Sequence, residues 1–236
     1  MNRIIFSLVM CFMALTNPIL AADNLTISNF MVVQGVGGQE FTINLNNGQT
    51  YAAFQFDLYL PKGITITSIS AEQRLPEANA LTYSEQEDGS YRFIYADISK
   101  GNINDIRNIS GTSGSIIKIT VSASSNVATG SLTGDFRNIK LSDKSGEGNT
   151  YNEMSFPVTV LKLGDVNDDG DVDIADAVCI VNHIVGKPNA TFIEAAADVN
   201  GDGDIDIADA VHIVNYVVGK INALAPKFDI TLREPQ

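Results

Sequence analysis

Two twelve-residue segments, Asp165–Asp176 (DVNDDGDVDIAD) and Asp198–Asp209 (DVNGDGDIDIAD), carry the residue types and spacing most able to do chemistry. Each places oxygen-bearing side chains at loop positions 1, 3, 5, 9 and 12, with glycine at position 6. A hard divalent cation such as calcium takes about six to eight oxygen ligands, and a loop of this length with a sharp turn at its sixth residue supplies most of them. The first loop offers the side chains of Asp165, Asn167, Asp169 and Asp176, the carbonyl of Asp171, and Asp173 directly or through a water. The second offers Asp198, Asn200, Asp202 and Asp209, the carbonyl of Asp204, and Asp206. Gly170 and Gly203 permit the positive φ that such a turn needs. A lone acidic turn is commonplace on a protein surface. Two copies with every position filled predict two bound calcium ions.

Charge points the same way. Residues 165–220 hold eleven aspartates, Glu194 and two lysines, a net of −10 against −13 for the whole chain. Carboxylates packed this densely repel, and a bound divalent ion relieves the repulsion. An acidic chain without Lys/Arg clusters is unsuited to nucleic acid or to anionic membrane surfaces.

Each loop runs into a helical pattern. After the first, Ile174, Ala177, Val178, Val181, Ile184 and Val185 recur at helical spacing and Gly186 stops the run. After the second, Ile207, Ala210, Val211, Val214, Val217 and Val218 repeat it up to Gly219. Asp173 and Asp206 can cap these helices, with Asp176 and Asp209 three residues on completing the capping box. Residues 164–187 and 197–220 are identical at 18 of 24 positions. Each unit is thus a loop followed by one helix, with no helix entering the loop. An EF-hand has that entering helix and ends its loop in Glu, whereas both loops here end in Asp. The duplicated loop-plus-helix over Gly164–Lys220 resembles the type I dockerin module. That resemblance implies two calcium ions, two roughly antiparallel helices related by a pseudo-twofold axis, and a surface that docks onto cohesin modules. Family contacts at loop positions 10 and 11 map onto Ile174, Ala175, Ile207 and Ala208, where hydroxyl residues are common in the family, so a more apolar docking or a different docking partner is implied. Further along the helices the candidates are Asn182, His183 and Lys187, with Asn215, Tyr216 and Lys220 in the second copy. A module this small buries little apolar surface and is expected to need its metal.

The N-terminus reads as a secretory signal peptide over residues 1–22: Arg3, an apolar run Ile4–Leu15, Pro18, and Ala21-Ala22 as the cleavage region. The run is shorter than the ~20 residues a membrane span needs, so membrane insertion is not expected and export to the cell surface, periplasm or medium is. Cys11 follows Met10 inside the run, which is not a lipidation pattern. Cys179 is the one cysteine of the exported chain, so no intrachain disulfide is available, and it is expected to be a packed or partly exposed thiol in the first helix.

Residues 23–163 differ in character. Short alternating apolar runs are separated by Gly, Asn and Ser turns. They predict strands at Leu25–Val33, Glu40–Leu45, Tyr51–Leu60, Thr65–Ser70, Ala78–Tyr83, Tyr91–Ala96, Gly114–Ala123, Gly130–Ser142 and Ser155–Lys162. Phe54, Phe56, Leu58 and Leu60 face one way and Gln55, Asp57 and Tyr59 the other, as in a sheet with one buried face. The expected fold is therefore mainly β with a small α module: an antiparallel β-sandwich before the two-helix unit. The runs FQFDLYLPKGI, YRFIYADIS and GSIIKITVSAS resemble the cohesin pattern, which implies a nine-stranded jelly roll.

The resulting expectation is a non-catalytic, calcium-binding protein of cohesin/dockerin assembly, with polysaccharide-degrading machinery as the context the resemblance suggests. The alternative is a carbohydrate-binding sandwich with a mainly structural dockerin, its glycan platform built from Tyr51, Tyr59, Tyr83 and Tyr151. An enzyme is disfavoured. The two histidines, His183 and His212, fall in the helical repeats, and Glu72, Glu77, Glu85, Glu87 and Asp88 read as a solvated loop cluster rather than a glycosidase pair. No Pro/Thr/Ser-rich spacer separates Leu163 from Gly164, so the module is expected to pack on its own sandwich or at least to be held at restricted angles to it. Residues 221–236 form a tail in which Phe228, Ile230 and Leu232 alternate as a strand could.

Overall fold

The computed structural model describes residues 23–27, 30–97, 105–188 and 190–224. The signal-peptide segment and the tail alternation at Phe228–Leu232 lie outside them.

Among the described residues, eleven strands form two facing sheets. The smaller has the order β1 (Asn24–Ile27), β3 (Gln39–Asn46), β8 (Ser115–Ala123), β5 (Ile64–Ala71), with every pair antiparallel. The larger has the order β2 (Met31–Val33), β11 (Met154–Leu161), β9 (Gly130–Ser142), β4 (Ala53–Tyr59), β7 (Tyr91–Ala96), β6 (Leu81–Glu85), and β10 (Gly148–Thr150) pairs with the end of β9. Alternation puts Phe54, Phe56 and Leu58 of β4 opposite Tyr95, Phe93 and Tyr91 of β7, all facing the interior. There they meet Ile43, Leu45, Ile117, Ile119, Phe136 and Leu141 in one continuous core. Phe56 stacks on Phe93 at 5.0 Å and meets Phe136 edge-on at 5.4 Å, geometries that suit the aromatic quadrupole.

Three strand expectations change. Leu25–Val33 is two strands in different sheets: β1 pairs antiparallel with β3, and β2 pairs parallel with β11. Both halves alternate correctly, so hydropathy could not show the change of sheet. Residues 78–80 form a 3-10 turn before β6, and the short β10 lacks the apolar run that would announce it.

The tyrosine platform is not formed. Tyr51 and Tyr151 are buried, and both hydroxyls donate to the Oδ2 of Asp23 at 2.6 Å. Tyr83 stacks on Phe93, while the Arg137 guanidinium covers the ring of Tyr59 at 4.5 Å.

The end of the sandwich that meets the C-terminal module is built by the β2–β3 turn and the last residues of β11. The Gln39 side chain ties the turn by accepting from Val33 N and donating to the carbonyls of Val33 and Val36. Gln34 N donates to Leu161 O across the parallel pair. Val33, Val36 and Leu161 then join the apolar cluster of the module. The expected packing of module on sandwich is observed.

Candidate metal loops and docking face

Helix α1 (Ile174–Ile184) starts at Asp173 and α2 (Ile207–Val217) at Asp206, each with both halves of the capping box in place. Asp173 Oδ1 accepts from Ala175 N at 2.6 Å, and Asp176 Oδ2 accepts from Asp173 N at 2.8 Å. The second copy repeats this at 2.6 Å and 3.0 Å. Gly170 and Gly203 sit at φ 92° and 94°, as the turn at position 6 requires. Position 4 is also left-handed, filled by Gly201 at φ 73° in one loop and by Asp168 at φ 61° in the other. Gly186 and Gly219, at φ 70° and 73°, follow the helix ends.

Inside each loop the carboxylates fold inward onto backbone amides. Asp165 accepts from Asp169 N and Gly170 N, and Asn167 bridges to Asp169 through both its amide atoms. Asp198 accepts from Gly201 N and Gly203 N. Asp176 and Asp209 are fully buried; besides the cap, their Oδ1 atoms accept from Val166 and Asn167, and from Val199 and Asn200. Burial pushes both carboxyls above the usual carboxylate range, against amide hydrogen bonds that pull them down; the charges of Asp165 and Asp198 add to the rise. Among the described residues no three His, Cys, Asp or Glu side chains converge as they stand. The donor set nevertheless fits a hard cation. It is all oxygen, is wound in a tight turn, and includes a buried acid at position 12 that no basic side chain among the described residues neutralises.

The helices meet through Ala177 and Ile180 of α1 and Ala210 and Ile213 of α2, covered by Val166, Ala196, Ala197 and Val199. Cys179 lies half-buried beside this core outside any disulfide, its thiol pushed up by burial and by the Asp176 charge. Most of the apolar repeat seen in the sequence is not core. Ile174, Val178, Val181 and Val185 of the first unit are 37–60% exposed, and Ile207, Val211, Val214 and Val218 of the second are 37–58% exposed. Spacing of i, i+4, i+7 and i+11 makes each set one stripe along its helix. The valines of these stripes were missed as surface residues. The available signal was a helix apolar on two faces in a module too small to bury both.

Among the other surface candidates, Ala175, Lys187, Ala208 and Lys220 are exposed, and Asn182, Asn215 and Tyr216 are half-buried. His183 is exposed at its edge but stacks on Phe192 at 4.1 Å. Glu77 pairs with Arg107, and Asp88 is held by Tyr59 and Ser90.

Residues 163–218 match the family model of the dockerin type I domain. The sandwich has the fold of a chain from a type I cohesin–dockerin complex of Clostridium thermocellum, at 14% identity and a TM-score of 0.50 over 59% of this chain and 99% of that one. A cohesin module from a Clostridium perfringens family 33 glycoside hydrolase gives 15% identity and a TM-score of 0.46 over 60% and 98% of the two chains. A second type I cohesin–dockerin complex of Clostridium thermocellum gives 16% identity and 0.46 over 62% and 100%. No curated protein matches the chain. The chain therefore carries a segment, residues 163–218, that matches the dockerin type I domain model, preceded by a β-sandwich with the fold of a cohesin module.

Proposed function

We propose that this protein is an exported, non-catalytic assembly component whose dockerin, loaded with two calcium ions, docks onto a cohesin-type protein module. The observation that carries this reading is the pair of exposed apolar stripes, one behind each acidic loop in a dockerin-matched segment. Apolar residues left open in this number mark an interaction surface. In the loaded loops, Asp165, Asn167, Asp169, Asp171, Asp173 and Asp176 hold one ion and Asp198, Asn200, Asp202, Asp204, Asp206 and Asp209 the other. Calcium supplies the positive charge that lets the buried acids stay ionised while the helices are held at their start.

The sandwich braces the module at Val33, Val36 and Leu161, away from the stripes, so bracing and docking are compatible. No helix among the described residues is long and apolar enough to cross a membrane. Polysaccharide-degrading machinery is the context we propose, because dockerins and cohesins are modules of such assemblies.

The test is a pull-down with the full chain from the secreted fraction of the source organism, with calcium and with chelator. A cohesin-bearing partner recovered only with calcium, and lost with Val178→Asp together with Val211→Asp, supports the proposal. Calcium-independent retention of polysaccharide by the sandwich, without such a partner, sinks it.

A further inference from the structure

The two loops are not electrostatic equals. Loop one contains one aspartate more than loop two, because Asp168 stands where the second copy has Gly201. Loop one also meets a cation that has no counterpart at loop two among the described residues. Lys162, the residue after β11, reaches from the sandwich into the loop, and its Nζ donates to the Gly170 carbonyl at 2.9 Å. At the 33-residue offset of the repeat the second copy has Ala195, which carries no charge. Loop two instead faces the sandwich across a space of about 340 Å³ lined by Val36, Leu163, Ala195, Asp198, Gly201, Asp202 and Gly203.

We infer that Lys162, carried on the sandwich, offsets the extra Asp168 charge and sets the calcium affinity of loop one close to that of loop two. The inference rests on the calcium reading of the loops. A fixed ammonium beside the loop repels the incoming divalent ion, and the hydrogen bond keeps it there rather than free in solvent. The Gly170 carbonyl at position 6 is not one of the proposed ligands, so the lysine acts through charge and does not compete for a ligand atom. Removing the charge leaves loop one the more acidic site.

Calcium titration by calorimetry on the full chain tests this. With loop two disabled by Asp198→Asn, adding Lys162→Gln is expected to tighten the remaining site about three- to tenfold at low salt, the gap closing at about 1 M salt. With loop one disabled by Asp165→Asn, the same change is expected to leave loop two within about twofold, since a single distant surface charge is screened. If Asp198→Asn unfolds the module, Ala195→Lys in the otherwise unaltered chain serves instead and is expected to weaken loop two. Equal affinities in the first pair, a gap that persists at high salt, or an equal change in both loops would overturn the inference. An unaltered chain that takes up no calcium fails the metal reading itself, a distinct result that removes this inference with it.

Discussion

On the outer face of the larger sheet, Asp57 lies under Arg92 and Asn138, and Asp135 is held by Ser155 and Arg137, so each acid meets a cation and a neutral donor. In the module, Asp176 and Asp209 are fully buried with only backbone amides as partners. The carboxyls shift accordingly. Asp135 is drawn down by Ser155 and then Arg137, whereas burial drives Asp176 and Asp209 up. The sandwich has a large aromatic and aliphatic core, and these two outer-face acids each sit beside a cation. The module combines a small core, Ala177, Ile180, Ala210 and Ile213 with the loop residues that cover them, with two buried acids that meet no cation among the described residues; the proposed calcium would supply that charge.

Core truncation should separate the two regions most strongly. Phe56→Ala is expected to cost the sandwich about 3–5 kcal/mol, and Ile180→Ala to cost the module about 2–5 kcal/mol. The first loss should be the same with or without calcium in thermal melts. The second should abolish the module's transition unless calcium is in excess, since ligand binding to the folded state stabilises it by mass action. A sandwich transition that moved with Ile180→Ala would mean that the two parts fold as one unit.

The joint comes next. Gly164 has φ 91°, and a Cβ there would lie 2.4 Å from Leu224 Cδ1 and 3.0 Å from Val172 Cγ1. Gly164→Ala is therefore expected to destabilise the module by more than about 1 kcal/mol, the scale of a left-handed non-glycine residue. Limited proteolysis should show faster cutting near Lys162 and leave the sandwich intact. Unchanged cutting would show that the joint contributes little to the packing.

The smallest effect concerns a surface acid. Ser90 and Tyr59 hold the Asp88 carboxyl down at about 2. Its folded value lies below its unfolded one, so its contribution to stability is present above about pH 4 and is lost as the pH falls through about 2. A carboxyl NMR titration of Asp88 should show that low midpoint, and Tyr59→Phe together with Ser90→Ala should return it towards the ordinary value. An ordinary midpoint in the unaltered chain would show that these hydrogen bonds do not persist in solution.

Much of the site was legible in the sequence because local rules governed it. The glycine at position 6, the capping aspartates and the helix starts at Ile174 and Ile207 follow from a few adjacent residues, as do β7 and β9. The exchange of sheets between β1 and β2 was hidden because alternation says which face is buried and not which sheet the strand joins. Arg74, nearly buried and donating to the carbonyls of Leu45, Ser110, Gly111 and Gly114, looks from sequence like any surface arginine. The helix stripes show a related limit. Periodicity marks an apolar face, and only the supply of covering residues decides whether that face is core. The sandwich covers the loop side of the module through Val33, Val36 and Leu161 and leaves Val178 and Val211 open.

The central claim is that calcium completes the module and not the sandwich. Far-UV circular dichroism of the full chain through a thermal melt, in calcium and then in excess chelator, tests it most directly. The account predicts loss of the helical signal on chelation, recovery when calcium is restored, and a β-sheet transition that stays in place. A helical signal that survives chelation with an unchanged melt would contradict it.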